Sequence, residues 1–186
     1  MAYLIIVVVL IVIIAPIIAV LPSKRQKEQM AMRRIAMSQG FSVQLTRIED
    51  PDPDPEKYLS STGKPLERVM SVVAYRLARR RPTDWRRLPQ IDWCLVRKHD
   101  ATLPELPPGW AWELHPGDRT APEFLKFLTS QVNRLPDDVV RIEEAGYLIS
   151  AYWNEHGGEQ AVNAITKFIT ECAGILPYSS EIMDDD

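Results

Sequence analysis

Between positions 76 and 87 (RLARRRPTDWRR) the arginines Arg76, Arg79, Arg80, Arg81, Arg86 and Arg87 stand against a single carboxylate, Asp84. A guanidinium holds phosphate through two parallel N–H donors. Such a run therefore has the chemistry to grip RNA or anionic lipid head groups, with Trp85 inserted beside them. The competing outcome is a solvated run balanced by the acidic segment at 49–56, and the chain's formal charge of -3 favours it over nucleic-acid binding. A second basic group, Lys24, Arg25, Lys27, Arg33 and Arg34, accompanied by Glu28 alone, has the same capacity for anions.

Other reactive side chains are scattered. His99, His115 and His156 fall in different predicted elements, and Cys94 with His99 lacks the two further ligands that structural zinc needs, so no metal or other cofactor is expected. Glu143-Glu144, adjacent on a strand, point to opposite faces, and Asp137-Asp138 lie at a turn; neither pair is arranged for acid and base work. Ser61-Thr62-Gly63-Lys64 imitates the end of a phosphate-binding loop, but Pro65 stands where Ser or Thr is required and Tyr58 where the first Gly belongs. There is no nucleophile elbow and no dinucleotide-binding glycine pattern, so the chain reads as a non-enzyme.

The elements that position these residues begin with an apolar run. Residues 4–21 (LIIVVVLIVIIAPIIAVL) carry no charge, and as a helix they span about 27 Å, one bilayer crossing bent mildly at Pro16. Without a positive n-region or a good cleavage site, the run predicts an uncleaved transmembrane anchor over 1–22. Basic residues follow it and none precede it. That asymmetry predicts a single-pass protein of the inner (plasma) membrane, with its N-terminus outside and its main domain cytoplasmic. Cys94 and Cys172 then read as buried thiols in a reducing compartment.

Residues 23–39 lack Pro and Gly and end at Gly40, predicting a basic helical stalk over 23–40. The layout LPSKRQKEQMAMRRIAMSQGFSVQL resembles that of YajC-like single-pass accessory subunits of the bacterial preprotein translocase, over roughly the first 45 residues. That resemblance implies association with a membrane complex and transfers no site residues. This chain departs from the family in its longer domain and in having no Gly-Gly before Gly157.

The domain itself is expected over 41–178, with an acidic tail over 179–186. Phe41, Val43 and Leu45 alternate with polar residues as in a half-buried strand, and 69–77, 93–96 and 110–114 carry strand composition. Trp110, Trp112 and Leu114 are expected on one strand face, and Trp93 and Trp153 join Trp110 and Trp112 as core rather than stacking residues. The prolines at 51, 53 and 55 predict an acidic extended loop, and 103–109 a stiff connector. Helices are expected from a Thr120 cap to Leu135 and from Glu159 to Ala173. For 139–153 both a helix and a hairpin turning at Glu144-Ala145-Gly146 fit, and Gly146 with the Tyr, Ile, Val and Trp content favours the hairpin.

The fold class that follows is α+β: a transmembrane helix plus an antiparallel or mixed sheet with two or more helices packed on it. The expected function is a membrane-anchored accessory or scaffold protein whose cytoplasmic domain binds a partner protein or membrane complex. The alternative is a membrane-tethered binder of anionic lipid or RNA through 76–87.

Overall fold

The computed structural model describes residues 3, 23–83, 85–88 and 90–178. The described chain has an α+β fold, a six-stranded antiparallel sheet with three α-helices. In chain order these are α1 (Lys24–Ser38), β1 (Ser42–Glu49), β2 (Val69–Ala78), β3 (Trp93–Arg97), β4 (Trp110–Leu114), α2 (Pro122–Gln131), β5 (Val139–Ala145), β6 (Leu148–Trp153) and α3 (Gly158–Gly174), with a 3-10 turn at Val132–Arg134. The sheet order is β1-β2-β6-β5-β3-β4.

The expected transmembrane helix is corrected. Among the described residues no helix is long and apolar enough to cross a membrane, and the run at 4–21 on which the expectation rests lies outside the described residues, as does the tail at 179–186. Two of the described helices, α2 and α3, are amphipathic: α2 buries Phe124 and Leu128, and α3 buries Val162, Ile165, Phe168, Ile169 and Cys172 along one side. The single-pass topology and the inner-membrane location with a cytoplasmic domain, both drawn from that span, are withdrawn with it.

The helix expected as a stalk packs against α3 and β1. A capping box opens α1, with Ser23 N–H donating to Gln26 Oε1 (2.8 Å) and Gln26 N–H to Ser23 Oγ (3.3 Å). Met32 and Ala36 enter the core at its other end. There Gly40, at φ 88°, reverses the chain into β1.

The core lies between the sheet and these helices. Trp93, Trp110 and Trp153 are fully buried, with Tyr75 edge-on to Trp153 at 5.2 Å and Phe124 edge-on to Trp93 at 6.1 Å. A bulge at Cys94/Leu95 shifts the β3–β4 register, so Trp112 packs against the core while Leu114 is exposed. The opposite sheet face carries polar contacts within and between strands. Tyr152 donates to Glu143 (2.6 Å), Arg141 holds Glu143 (2.8 Å) and Glu113 (2.7 Å), and the Cys94 thiol donates to Glu113 (3.1 Å).

Residues 139–153 form the β5–β6 hairpin, and its two-residue turn is Gly146-Tyr147, one position later than expected. Both residues have positive φ, 59° and 64°, the geometry whose twist matches that of the flanking strands. At α2 the residue before the helix is Ala121, with Pro122 in the first turn. Thr120 does not cap: its hydroxyl donates to the Pro116 carbonyl at 3.2 Å.

Candidate functional site

The N-terminal half of α1 leaves an open cleft of about 680 Å³ between itself, the adjoining ends of β1 and β2, and the turn after β6. Register builds the floor: Leu45 lies opposite Val73, and Val73 opposite Trp153, so the three side chains share one sheet face across three strands. Arg47, two residues on from Leu45, extends that row. Arg25, Gln29 and Arg33 line the cleft from α1, and Asn154, Glu155 and His156 line it from the turn.

The turn is held in an unusual conformation. Glu155 has φ 56° and Gly158 φ 67°, while Gly157 approaches α3 so closely that a Cβ there would lie 2.4 Å from that of Ala161. Asp138 anchors the segment by accepting the His156 N–H at 2.8 Å. This left-handed step turns the Glu155 side chain inward until none of it is exposed.

There it meets Arg33, whose Nε lies 2.9 Å from Oε1 and whose Nη2 lies 2.6 Å from Oε2; the Tyr75 hydroxyl donates to Oε1 at 3.3 Å. The pair raises the Arg33 guanidinium above its ordinary value, and burial, reinforced by Glu155, pushes the Tyr75 hydroxyl well up. A second buried carboxylate is built alike: Glu144 takes Arg79 Nε (2.6 Å) and Nη2 (2.8 Å) together with the Trp93 indole N–H (3.1 Å).

The charges on the cleft are therefore unequal in availability. Arg33 is neutralised by Glu155, the cleft's sole carboxylate among the described lining residues. Arg25 meets His156 Nε2 at 2.7 Å, and among the described residues neither Arg25 nor Arg47 pairs with a carboxylate. His156 has Nδ1 3.8 Å from Asp138, but no hydroxyl or thiol among the described residues hydrogen-bonds its ring, so the arrangement offers cationic donors over an apolar floor rather than an activated nucleophile.

The structure separates the residues that sequence grouped. Arg25 and Arg33 line the cleft, whereas Lys24, Lys27 and Arg34 are exposed elsewhere on α1. Within the 76–87 run, Arg79 is buried in its ion pair with Glu144 and also donates to the Ala173 and Ile175 carbonyls, so it presents no free charge. Arg81 lies over the rings of Trp85 (4.8 Å) and Tyr147 (5.5 Å), and Arg86 lies over Trp85 (5.6 Å). Arg80 and Arg87 are exposed, and Arg87 keeps a contact of its own.

The acidic segment does not balance that run. It leaves β1 at the opposite end of the ten-residue strand β2, about 30 Å away. There Asp50 accepts from Tyr58 (2.6 Å) and Lys57 (3.3 Å), and Asp52 accepts the His99 N–H at 2.7 Å.

Arg47, Tyr75 and Glu155 were invisible as site residues in the sequence. The one available signal was Gly157-Gly158, a pair that permits a tight turn directly before a helix. Comparison with protein-family models, curated proteins and solved structures finds no match to this chain.

Proposed function

We propose that this domain is a non-catalytic binding module whose cleft between α1 and the β1–β2 ends receives an acidic segment of a partner protein. The observation that carries this reading is the pairing of Arg25 and Arg47, neither matched to a carboxylate among the described residues, with a floor of Leu45, Val73 and Trp153. Guanidinium groups supply charge-assisted hydrogen bonds to carboxylates, and the apolar floor supplies contact area for neighbouring side chains. The buried Arg33–Glu155 pair keeps the wall in place and leaves Arg25 and Arg47 to meet the ligand.

Titrating the isotope-labelled full chain with a Val-Ser-Glu-Ser repeat peptide (the Val/Glu peptide), which when extended places Val and Glu two residues apart on one face, tests this. Amide shifts are expected to concentrate at Leu45, Arg47, Trp153 and His156. Shifts confined to the opposite sheet face, or no saturable shift, would overturn it.

A further inference from the structure

The two edges of the sheet are not alike. β4 spans five residues, its register against β3 is broken by a bulge, and Pro107-Pro108 lie just before it, all features that discourage further pairing. β1 spans eight residues without Pro or Gly, and its register against β2 runs unbroken from Ser42↔Arg76 to Glu49↔Val69. Among the described strands none pairs with its outer side.

Backbone hydrogen bonds reveal which groups that outer side presents. Asp50 N–H donates to the Arg68 carbonyl at 2.8 Å, in line with the β1–β2 register, so alternation along an antiparallel ladder turns the N–H and C=O of Ile48, Thr46, Gln44 and Ser42 toward β2. On the other side of β2, Arg79 N–H donates to the Tyr147 carbonyl at 2.8 Å, which assigns its odd-numbered residues to β6 and leaves the even-numbered ones for β1. The open edge therefore consists of the N–H and C=O groups of Val43, Leu45, Arg47 and Glu49, of which the Arg47 carbonyl accepts a long contact from Thr46 Oγ1 at 3.5 Å. The side chains of Leu45 and Arg47 line the cleft, and Leu45 is 67% exposed.

We infer that β1 accepts the partner's acidic segment as a seventh strand, a mode that rests on the cleft reading above and names how the same site holds its ligand. Two residues apart on one face of the added strand, an apolar side chain lies opposite Leu45 and a carboxylate opposite Arg47, within reach of Arg25 across the cleft. Glu49 closes the register, since a second carboxylate opposite it meets like charge.

The test compares a Val/Glu peptide with the same peptide N-methylated at alternate amides, using amide hydrogen exchange and affinity on the full chain. Strand addition slows exchange at Val43, Leu45 and Arg47 at least tenfold and leaves Gln44 and Thr46 unchanged. Methylating the amides that face β1 weakens binding at least tenfold. Equal affinity of both peptides with unchanged exchange at the edge overturns strand addition while leaving the cleft reading intact; absence of binding by either peptide overturns both. A dimer of the unliganded chain with Val43 and Leu45 already protected assigns the edge to a second copy and likewise overturns the inference.

Discussion

Arg33 and Glu155, 122 positions apart in the chain, meet through two parallel hydrogen bonds, and the carboxylate half of the pair is wholly buried. Removing the arginine leaves a desolvated carboxylate with only the Tyr75 hydroxyl, so Arg33→Met is expected to cost about 3 kcal/mol. Tyr75→Phe, which removes one hydrogen bond, is expected to cost about 1 kcal/mol. Urea unfolding with an unchanged slope measures both; equal stability of Arg33→Met and the parent would contradict this assignment.

Neighbouring arginines in the 76–87 run differ sharply. Arg79 is buried against Glu144, whereas Arg80 is exposed. Burial alone would lower the Arg79 guanidinium, but Glu144 outweighs it and holds the group above its ordinary value. Arg79→Met is expected to destabilise by about 3 kcal/mol or to prevent folding, and Arg80→Ala to change stability by less than about 0.5 kcal/mol. Thermal unfolding of the two variants side by side reads the contrast.

Alkali should unfold the domain by way of its buried weak acids. Burial pushes up the Cys94 and Cys172 thiols and the Tyr75 and Tyr178 hydroxyls, and it raises Tyr152 together with Glu143. A weak acid raised in the folded state favours folding while the unfolded chain holds its proton too, below the unfolded value; the stability is lost as pH rises beyond it, from about pH 9 for thiols and about pH 10 for phenols. Equilibrium unfolding at pH 7, 9 and 10.5 should show that decline. A thiol reagent should leave both cysteines unmodified at pH 7.5 until denaturant is added.

At the acid end the β1–β2 loop is expected to loosen. Burial alone would raise Asp50, but the hydrogen bonds from Tyr58, the Asp52 amide and Lys57 together hold its carboxyl below the usual range. The folded value is depressed. The loop's stabilisation is therefore present above the unfolded value near pH 4 and lost as pH falls through the folded one. Proteolysis within 51–67 by an acid-active protease should accelerate below about pH 4, and Asp50→Asn should show the faster cleavage already at pH 5.

Alternation and turn chemistry made the strands legible: Val43 and Leu45 belong to β1, and Gly146 belongs to the turn between β5 and β6. The adjacent carboxylates Glu143 and Glu144 do point to opposite faces, one toward Tyr152 and one into the core with Arg79. The cleft was not legible, because its residues come from α1, β1, β2 and the turn after β6, and no local spacing encodes that Arg33 meets Glu155. Composition misled where solvated and buried charge look alike. Arg79 and Arg80 are indistinguishable in a sequence run, and only the hydrogen bond from Arg79 N–H to the Tyr147 carbonyl, just past the end of β2, carries the strand's alternation on and turns one of them inward.

The charge of the cleft is read most directly as the dissociation constant of an acidic Val/Glu peptide from the full chain and from an Arg25→Glu, Arg47→Glu double variant. Both positions are exposed, so thermal stability should be unchanged within experimental scatter while affinity falls at least tenfold and its salt dependence flattens. Undiminished affinity and salt dependence in a variant that folds like the parent would contradict the account.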